Sequence, residues 1–203
     1  MNSILFRPTP FRPIRSGAAF AAALWLTTVG GGLYWLERYE AAAGAKLVSP
    51  AAWPADTGLK LVPHRLTLVL ALHPRCPCSR VTVAHLADLL ARHPDRVSAT
   101  ILLYHPEAEP ADADVVAGLP IEATVIRDPE ARLAQQFGAV TSGHVLLFRA
   151  DGGLAFSGGL TRGRGQEGDN PGRQALLRCL EGADGEPLHT AVFGCPLTPP
   201  SGS

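Results

Sequence analysis

Apolar and polar positions change their period several times along the chain, and each change marks an element. Gly17 to Leu36, "GAAFAAALWLTTVGGGLYWL", is an uncharged run of twenty residues. At about 1.5 Å per residue, a helix of that length reaches roughly 30 Å, the hydrocarbon thickness of a bilayer. Residues 37–60 lose the pattern, are rich in Ala and carry Pro50, Pro54 and Gly58, as a tether would. From 61 the chain alternates. "HRLTLVLAL" (64–72) and "VSATILLYH" (97–105) predict strands, and between them Val83, Leu86, Leu89 and Leu90 form a helical stripe within 79–93. After a loop rich in Pro and Asp, 122–128 reads as a short strand. "PEARLAQQFGA" then reads as a helix with Pro129 near its first turn and Gly138 past its end. "HVLLFRADGGLAFSGGL" (144–160) predicts a hairpin turning at Asp151-Gly152-Gly153. A closing helix follows, capped by Asp169 or Asn170.

This order, β-α-β-(β)-α-β-β-α, predicts an α/β domain over 61–198, a central mixed sheet with helices on its faces. Residues 199–203 are expected as a disordered tail. A strand that runs into cysteines opening a helix, with a terminal hairpin and helix, matches the thioredoxin order.

The flanks of the apolar run set its expected orientation. Residues 1–16 carry Arg7, Arg12 and Arg15 and no acid, whereas Tyr34, Trp35 and Tyr39 sit at the far end. Basic residues stay cytoplasmic and aromatics favour the interface. The expectation is a single-pass anchor in the inner membrane, with the domain in the periplasm or outside. A cleaved signal peptide is the alternative, since "AAAGA" (41–45) offers small residues, although the run exceeds the usual core of about 7–15 residues. Either way the cysteines are exported, where disulfides persist. Over the whole chain hydrophobic residues make up 46% and the formal net charge is zero, so a buried core is expected and nucleic acid is not expected as a partner. Four cysteines in 203 residues do not make a disulfide scaffold.

The chemistry is concentrated in "LVLALHPRCPCSR" (68–80), a C-x-C motif at a strand-to-helix turn. Cys76 would sit at the helix N-terminus with Pro77 at the first helical position, and Arg75 and Arg80 beside it. The helix dipole and these cations favour the thiolate, so Cys76 is expected with a depressed pKa. A Cys76–Cys78 disulfide spans only i to i+2; it is strained, and strained disulfides are labile and oxidising. Cys195, in "VFGC", is read as the resolving thiol, as a third ligand, or as the partner of Cys179 in a structural disulfide. His73 with Cys76 and Cys78, or Cys195 with both, is a candidate copper or zinc set. His85 and His144 read as structural or surface residues. The glycine-rich "SGGLTRGRGQEGDN" lacks a Walker lysine and a strand-to-helix G-x-G-x-x-G, so it is expected to border the cysteines rather than bind a nucleotide.

"HPRCPCSR", "TSGHVLLF", "FSGGLTRGRGQEGDN" and "VFGC" together resemble RedB, a small family of membrane-anchored thioredoxin-like proteins with a C-x-C motif. The resemblance covers nearly the whole chain. It implies a membrane-anchored thioredoxin-like fold; the residues themselves are read as a thiol–disulfide oxidoreductase with no required cofactor and exported protein thiols or disulfides as partners, Cys76 attacking and Cys78 resolving. A metallochaperone holding copper or zinc on the same thiols is the rival reading. Peroxidase chemistry is disfavoured, because His73 stands where peroxiredoxins carry Thr. Against ordinary thioredoxins two departures stand out. The position of the second cysteine is Ser79, and the cis-proline position before the hairpin holds Ser142 or Gly143. All of these are expected to line the site.

Overall fold

The computed structural model describes residues 16–45, 47–104, 113–116 and 123–197. The basic segment up to Arg15, His105 and the tail 199–203 lie outside the described residues. Two compact units divide the chain, 1–39 and 40–203. The first is helical: α1 runs Ser16–Ala41, longer than the predicted 17–36. Within it Gly17–Ala41 is long and apolar enough to cross a membrane, and none of its most apolar stretch is buried. At its end Trp35 and Tyr39 stack at 5.9 Å, and Arg38 Nη1 donates to Tyr34 Oη at 3.0 Å.

The second unit is built on a six-stranded sheet. Its strands are β1 (Leu66–Leu72), β2 (Val97–Leu103), β3 (Ala123–Arg127), β4 (His144–Phe148), β5 (Leu154–Gly158) and β6 (Leu188–His189). The order across the sheet is β3-β2-β1-β4-β5-β6. β1 pairs parallel with β2, and β2 with β3; β4 is antiparallel to both β1 and β5. The helices are α2 (Pro77–Ala91), α3 (Arg132–Gln136) and α4 (Pro171–Leu180). A parallel crossover through α2 beside an antiparallel hairpin closed by α4 is the thioredoxin-like arrangement.

The unbroken apolar run of β1 follows from burial on both faces. Side chains alternate sides along a strand. Leu68, Leu70 and Leu72 accordingly join Val83, Leu86, Leu89, Leu90, Leu176 and Leu180 under α2 and α4. Val69 and Ala71 face the opposite layer with Phe137, Leu146, Phe148 and Leu197. Exposed ion pairs brace the first layer, where Asp88 on α2 accepts from Arg92 and from Arg173 of α4.

Three expectations need correction. Pro129 does not open α3. Instead Asp128 accepts from Leu133 and Ala134 N–H at 3.2 and 2.9 Å, and Ala131 turns left-handed at φ 54°, so the helix starts at Arg132. Of the tether expected over 37–60, the described residues from Gly44 onward are packed onto the domain. Gly44 N–H donates to the Val192 carbonyl, Ala52 bridges Gly153, and Trp53 lies edge-on to Phe137 and Phe148 at 5.1 Å each. The second apolar face explains this, because α3 has only five residues and the strap covers what it leaves open. Finally, the closing helix does not end the order of elements. The segment after α4 adds β6 parallel to β5 and then turns back, with Thr141 bridging Pro196 and Leu197 N–H donating to the Val140 carbonyl.

Candidate functional site: a three-thiol cluster

β1 ends at Leu72 and the chain tightens into a turn in which Cys76 N–H donates to the His73 carbonyl at 3.1 Å. Cys76 is the N-cap of α2 in extended conformation, Pro77 occupies the first turn, and the Cys76 carbonyl accepts from Ser79 N–H at 2.9 Å. The sequence favours this start because proline needs no N–H partner there and already has the helical φ. It places Cys76 beside the Cys78 N–H at the positive end of α2.

Both C-x-C cysteines are buried. Cys76 nevertheless lines a cleft of about 420 Å³ with Pro74, Arg75, Pro77, Arg80 and Glu167 at its wall. Its thiol is brought down from 9.0 to about 4, first by a hydrogen bond from the Cys78 thiol and, against burial, by hydrogen bonds from the thiol and N–H of Cys195 and from Cys78 N–H. Sulfur and backbone donors thus supply the stabilisation expected from Arg75 and Arg80, whose side chains are exposed on the rim. The Cys78 thiol is held up, first by the bond it donates to Cys76, then by burial and the negative charge of Cys76. Gly165 N–H donates to the Cys78 sulfur, so the glycine-rich loop does border the site. Cys195 is pushed up to about 11, by burial first and then by Cys76, with Arg164 opposing. These shifts leave Cys76 the thiolate at neutral pH and keep Cys78 and Cys195 protonated.

The two departures from the thioredoxin pattern meet each other. Ser79 Oγ and Ser142 Oγ lie 2.9 Å apart, fully buried. Ser142 Oγ accepts from His73 N–H at 2.8 Å, and Ser79 Oγ donates to the His73 carbonyl at 2.7 Å. Gly143 takes φ 87° and donates its N–H to the Ala71 carbonyl at 2.8 Å. No cis peptide bond occurs among the described residues. A hydroxyl pair therefore joins the loop before β4 to the start of α2 where thioredoxins set a second cysteine against a cis-proline.

Cys195 is brought here by the returning tail, a placement that local sequence could not reveal. Its carbonyl accepts from Ser142 N–H at 2.8 Å. Gly194 packs so closely that a Cβ would stand 2.0 Å from the Ser142 carbonyl oxygen, and Arg164 Nη1 donates to the Gly194 carbonyl. The Cys179–Cys195 disulfide is not formed, and all four cysteines are free thiols. Cys179 belongs to the inner face of α4, buried in the core with its thiol 3.6 Å from the Ala155 carbonyl, and burial raises its pKa. His73 Nδ1 accepts from Arg75 N–H at 3.1 Å, and its ring tilts against Tyr104 at 5.4 Å. Among the described residues no group of three or more His, Cys, Asp or Glu is arranged to hold a metal ion. Sequence reading missed Gly165 and Gly194 as site residues, although each lies in a stretch it had marked, the glycine-rich loop or "VFGC".

No protein-family model and no curated protein match the chain. Solved structures do. An uncharacterised conserved protein from Geobacillus kaustophilus aligns with TM-score 0.57 at 17% identity, over 80% of this chain and 95% of that one. A hypothetical protein from Sinorhizobium meliloti aligns with TM-score 0.55 at 18% identity, over the same shares of 80% and 95%. A secreted Mycobacterium tuberculosis disulfide oxidoreductase shares less, with TM-score 0.43 at 12% identity over 60% and 84%. The likeness is one of fold. Strand order, the parallel crossover through α2 and the cysteine-opened helix make residues 40–203 a thioredoxin-like unit, in a chain whose N-terminal helix is able to cross a membrane.

Proposed function

We propose that this protein is an exported, membrane-anchored thiol–disulfide oxidoreductase that exchanges disulfides with another exported protein through the Cys76/Cys78 motif. The observation that carries the reading is the Cys76 thiolate, held at about pKa 4 by thiol and backbone donors at a helix N-terminus and lining an open cleft. Thiolate is the attacking form in disulfide exchange, and a low-pKa sulfur is also a good leaving group. Cys78 holds that thiolate by donating its proton towards it. The exposed Arg75 and Arg80 border the approach for an acidic or polar partner segment. The C-x-C motif, the anchor and the tail also support the narrower RedB resemblance.

The test uses the reduced full-length protein in detergent, mixed with a peptide disulfide. The expected result is stoichiometric exchange that Cys76→Ser abolishes and Cys179→Ser leaves intact. Equal exchange by Cys76→Ser would overturn the proposal. A phosphatase reporter fused after Ser203 should be active only if the domain is exported.

The rival reading, a carrier of copper(I) or zinc, would rest on the soft thiolates of Cys76 and Cys78, since no group of three or more ligands among the described residues is arranged to hold a metal ion. Under it, metal copurifies one-to-one with the protein and is lost on alkylation of Cys76.

A further inference from the structure

Building on the exchange reading, we propose that Cys195, carried on the returning C-terminal tail, is the thiol that resolves the mixed disulfide formed at Cys76. Three observations carry this. The tail is fastened at the entrance to β4 by Ser142 N–H to the Cys195 carbonyl at 2.8 Å, by the Thr141–Pro196 bridge and by fully buried Leu197. Its approach depends on a glycine, since a Cβ on residue 194 would meet the Ser142 carbonyl oxygen at 2.0 Å. The tail so fastened lies beside the start of α2, because Ser142, which holds the Cys195 carbonyl, also meets Ser79 Oγ at 2.9 Å, and Cys195 and Cys76 shift each other's protonation.

Geometry also separates Cys195 from Cys78. A Cys76–Cys78 bond would close a small ring through Pro77, whose φ is fixed, across the N-cap and first turn of α2. A Cys76–Cys195 bond joins two separate segments that meet at Ser142 and leaves the helix start intact. Electrostatics act in the same direction. While Cys76 is a thiolate, it keeps Cys195 protonated. Once Cys76 is in a mixed disulfide that charge is gone, whereas Arg164, which favours the Cys195 thiolate, remains.

The steps balance. The Cys76 thiolate attacks one sulfur of the partner disulfide, the partner S–S bond breaks, and the first partner sulfur leaves as thiolate and takes a proton from solvent. Cys195 then loses its proton and attacks the Cys76 sulfur. A Cys76–Cys195 bond forms, and the second partner sulfur leaves and accepts the proton that Cys195 lost. The partner disulfide gains two electrons and the two chain thiols lose them. Run in reverse, the same steps oxidise a partner dithiol.

The experiment mixes reduced full-length protein in detergent with oxidised glutathione, quenches with acid at intervals, and maps the linked peptides. Wild type should show a transient glutathione adduct on Cys76 that gives way to a Cys76–Cys195 link. In Cys195→Ser the adduct should persist roughly tenfold longer or more, and in Cys78→Ser the Cys76–Cys195 link should still form. Gly194→Ala keeps the thiol but displaces the tail, so it should prolong the adduct as Cys195→Ser does, with α2 unaltered. A Cys76–Cys78 link in wild type, together with resolution by Cys195→Ser at the wild-type rate, would overturn the assignment while leaving exchange at Cys76 intact. Absence of any adduct on Cys76 would bring down the exchange reading itself, and this assignment with it.

Discussion

Cys76 differs from an ordinary cysteine through the donors around its sulfur. Its thiol titrates near 4 rather than 9.0, with the hydrogen bond from Cys78 the largest cause. Alkylation of an ordinary thiol rises about tenfold per pH unit until its pKa is reached. Alkylation of Cys76 should instead be nearly flat between about pH 5 and 8, and Cys78→Ala should shift its onset upward, as rates of iodoacetamide labelling read by peptide mapping will show. The same shift bears on stability. Between the two pKa values the unfolded chain binds a proton that the folded chain does not, so this contribution is complete above 9.0 and is lost as pH falls towards about 4. Reduced wild type should therefore gain urea resistance over Cys76→Ser as pH rises from about 5 to 8, and a constant difference would contradict it.

Among the elements, the strap over 44–61 has the clearest mechanical role. It adds Trp53, Leu59 and Leu61 to a sheet face that short α3 covers only in part, and its backbone meets the hairpin through Trp53 N–H to the Gly152 carbonyl at 2.8 Å. Ser49 extends the contact through Ser157 to His144 by hydroxyl and imidazole hydrogen bonds of 2.7 and 2.8 Å. Trp53→Ala removes an aromatic wedged between two phenylalanines. Allowing for its partial exposure, it should cost about 3 kcal/mol in denaturant unfolding, while Cys76 keeps its low pKa because the wedge lies outside the thiol cluster. A loss below about 0.5 kcal/mol would show the strap to be peripheral.

For the whole molecule, the division is between a helix able to cross a bilayer and a domain with its chemistry at one end of the sheet. Arginine at the centre of a membrane helix costs about 2.5–3.5 kcal/mol on insertion scales. Leu24→Arg combined with Leu26→Arg should therefore move the full chain from the membrane pellet to the soluble fraction, with the exchange reaction of the domain retained. A double variant that still pellets with membranes after an alkaline wash would argue against anchoring by this helix.

Local signals foretold the parts of this protein whose causes are local. The apolar run in β1, the stripe in α2, the Asp-Gly-Gly turn and the Asn170 cap each depend on neighbours a few residues away, and they appear within a residue or two of where the pattern put them. So does Cys76 at a helix start, since Pro77 and the apolar run before it are adjacent in the chain. Other features rest on partners distant in sequence, and there the pattern was silent or misleading. A segment rich in Ala and Pro reads as a tether until a half-covered sheet face offers Trp53 a place to pack. Cys179 and Cys195, sixteen residues apart, look like a pair until α4 turns one into the core and the tail carries the other back to β4. The Ser79–Ser142 bond and the third thiol exist only because β1 and β4 are neighbours in the sheet. Side-chain period reports which face of an element is buried, but not which distant segment will bury it, and the cluster around Cys76 is made of such distant segments.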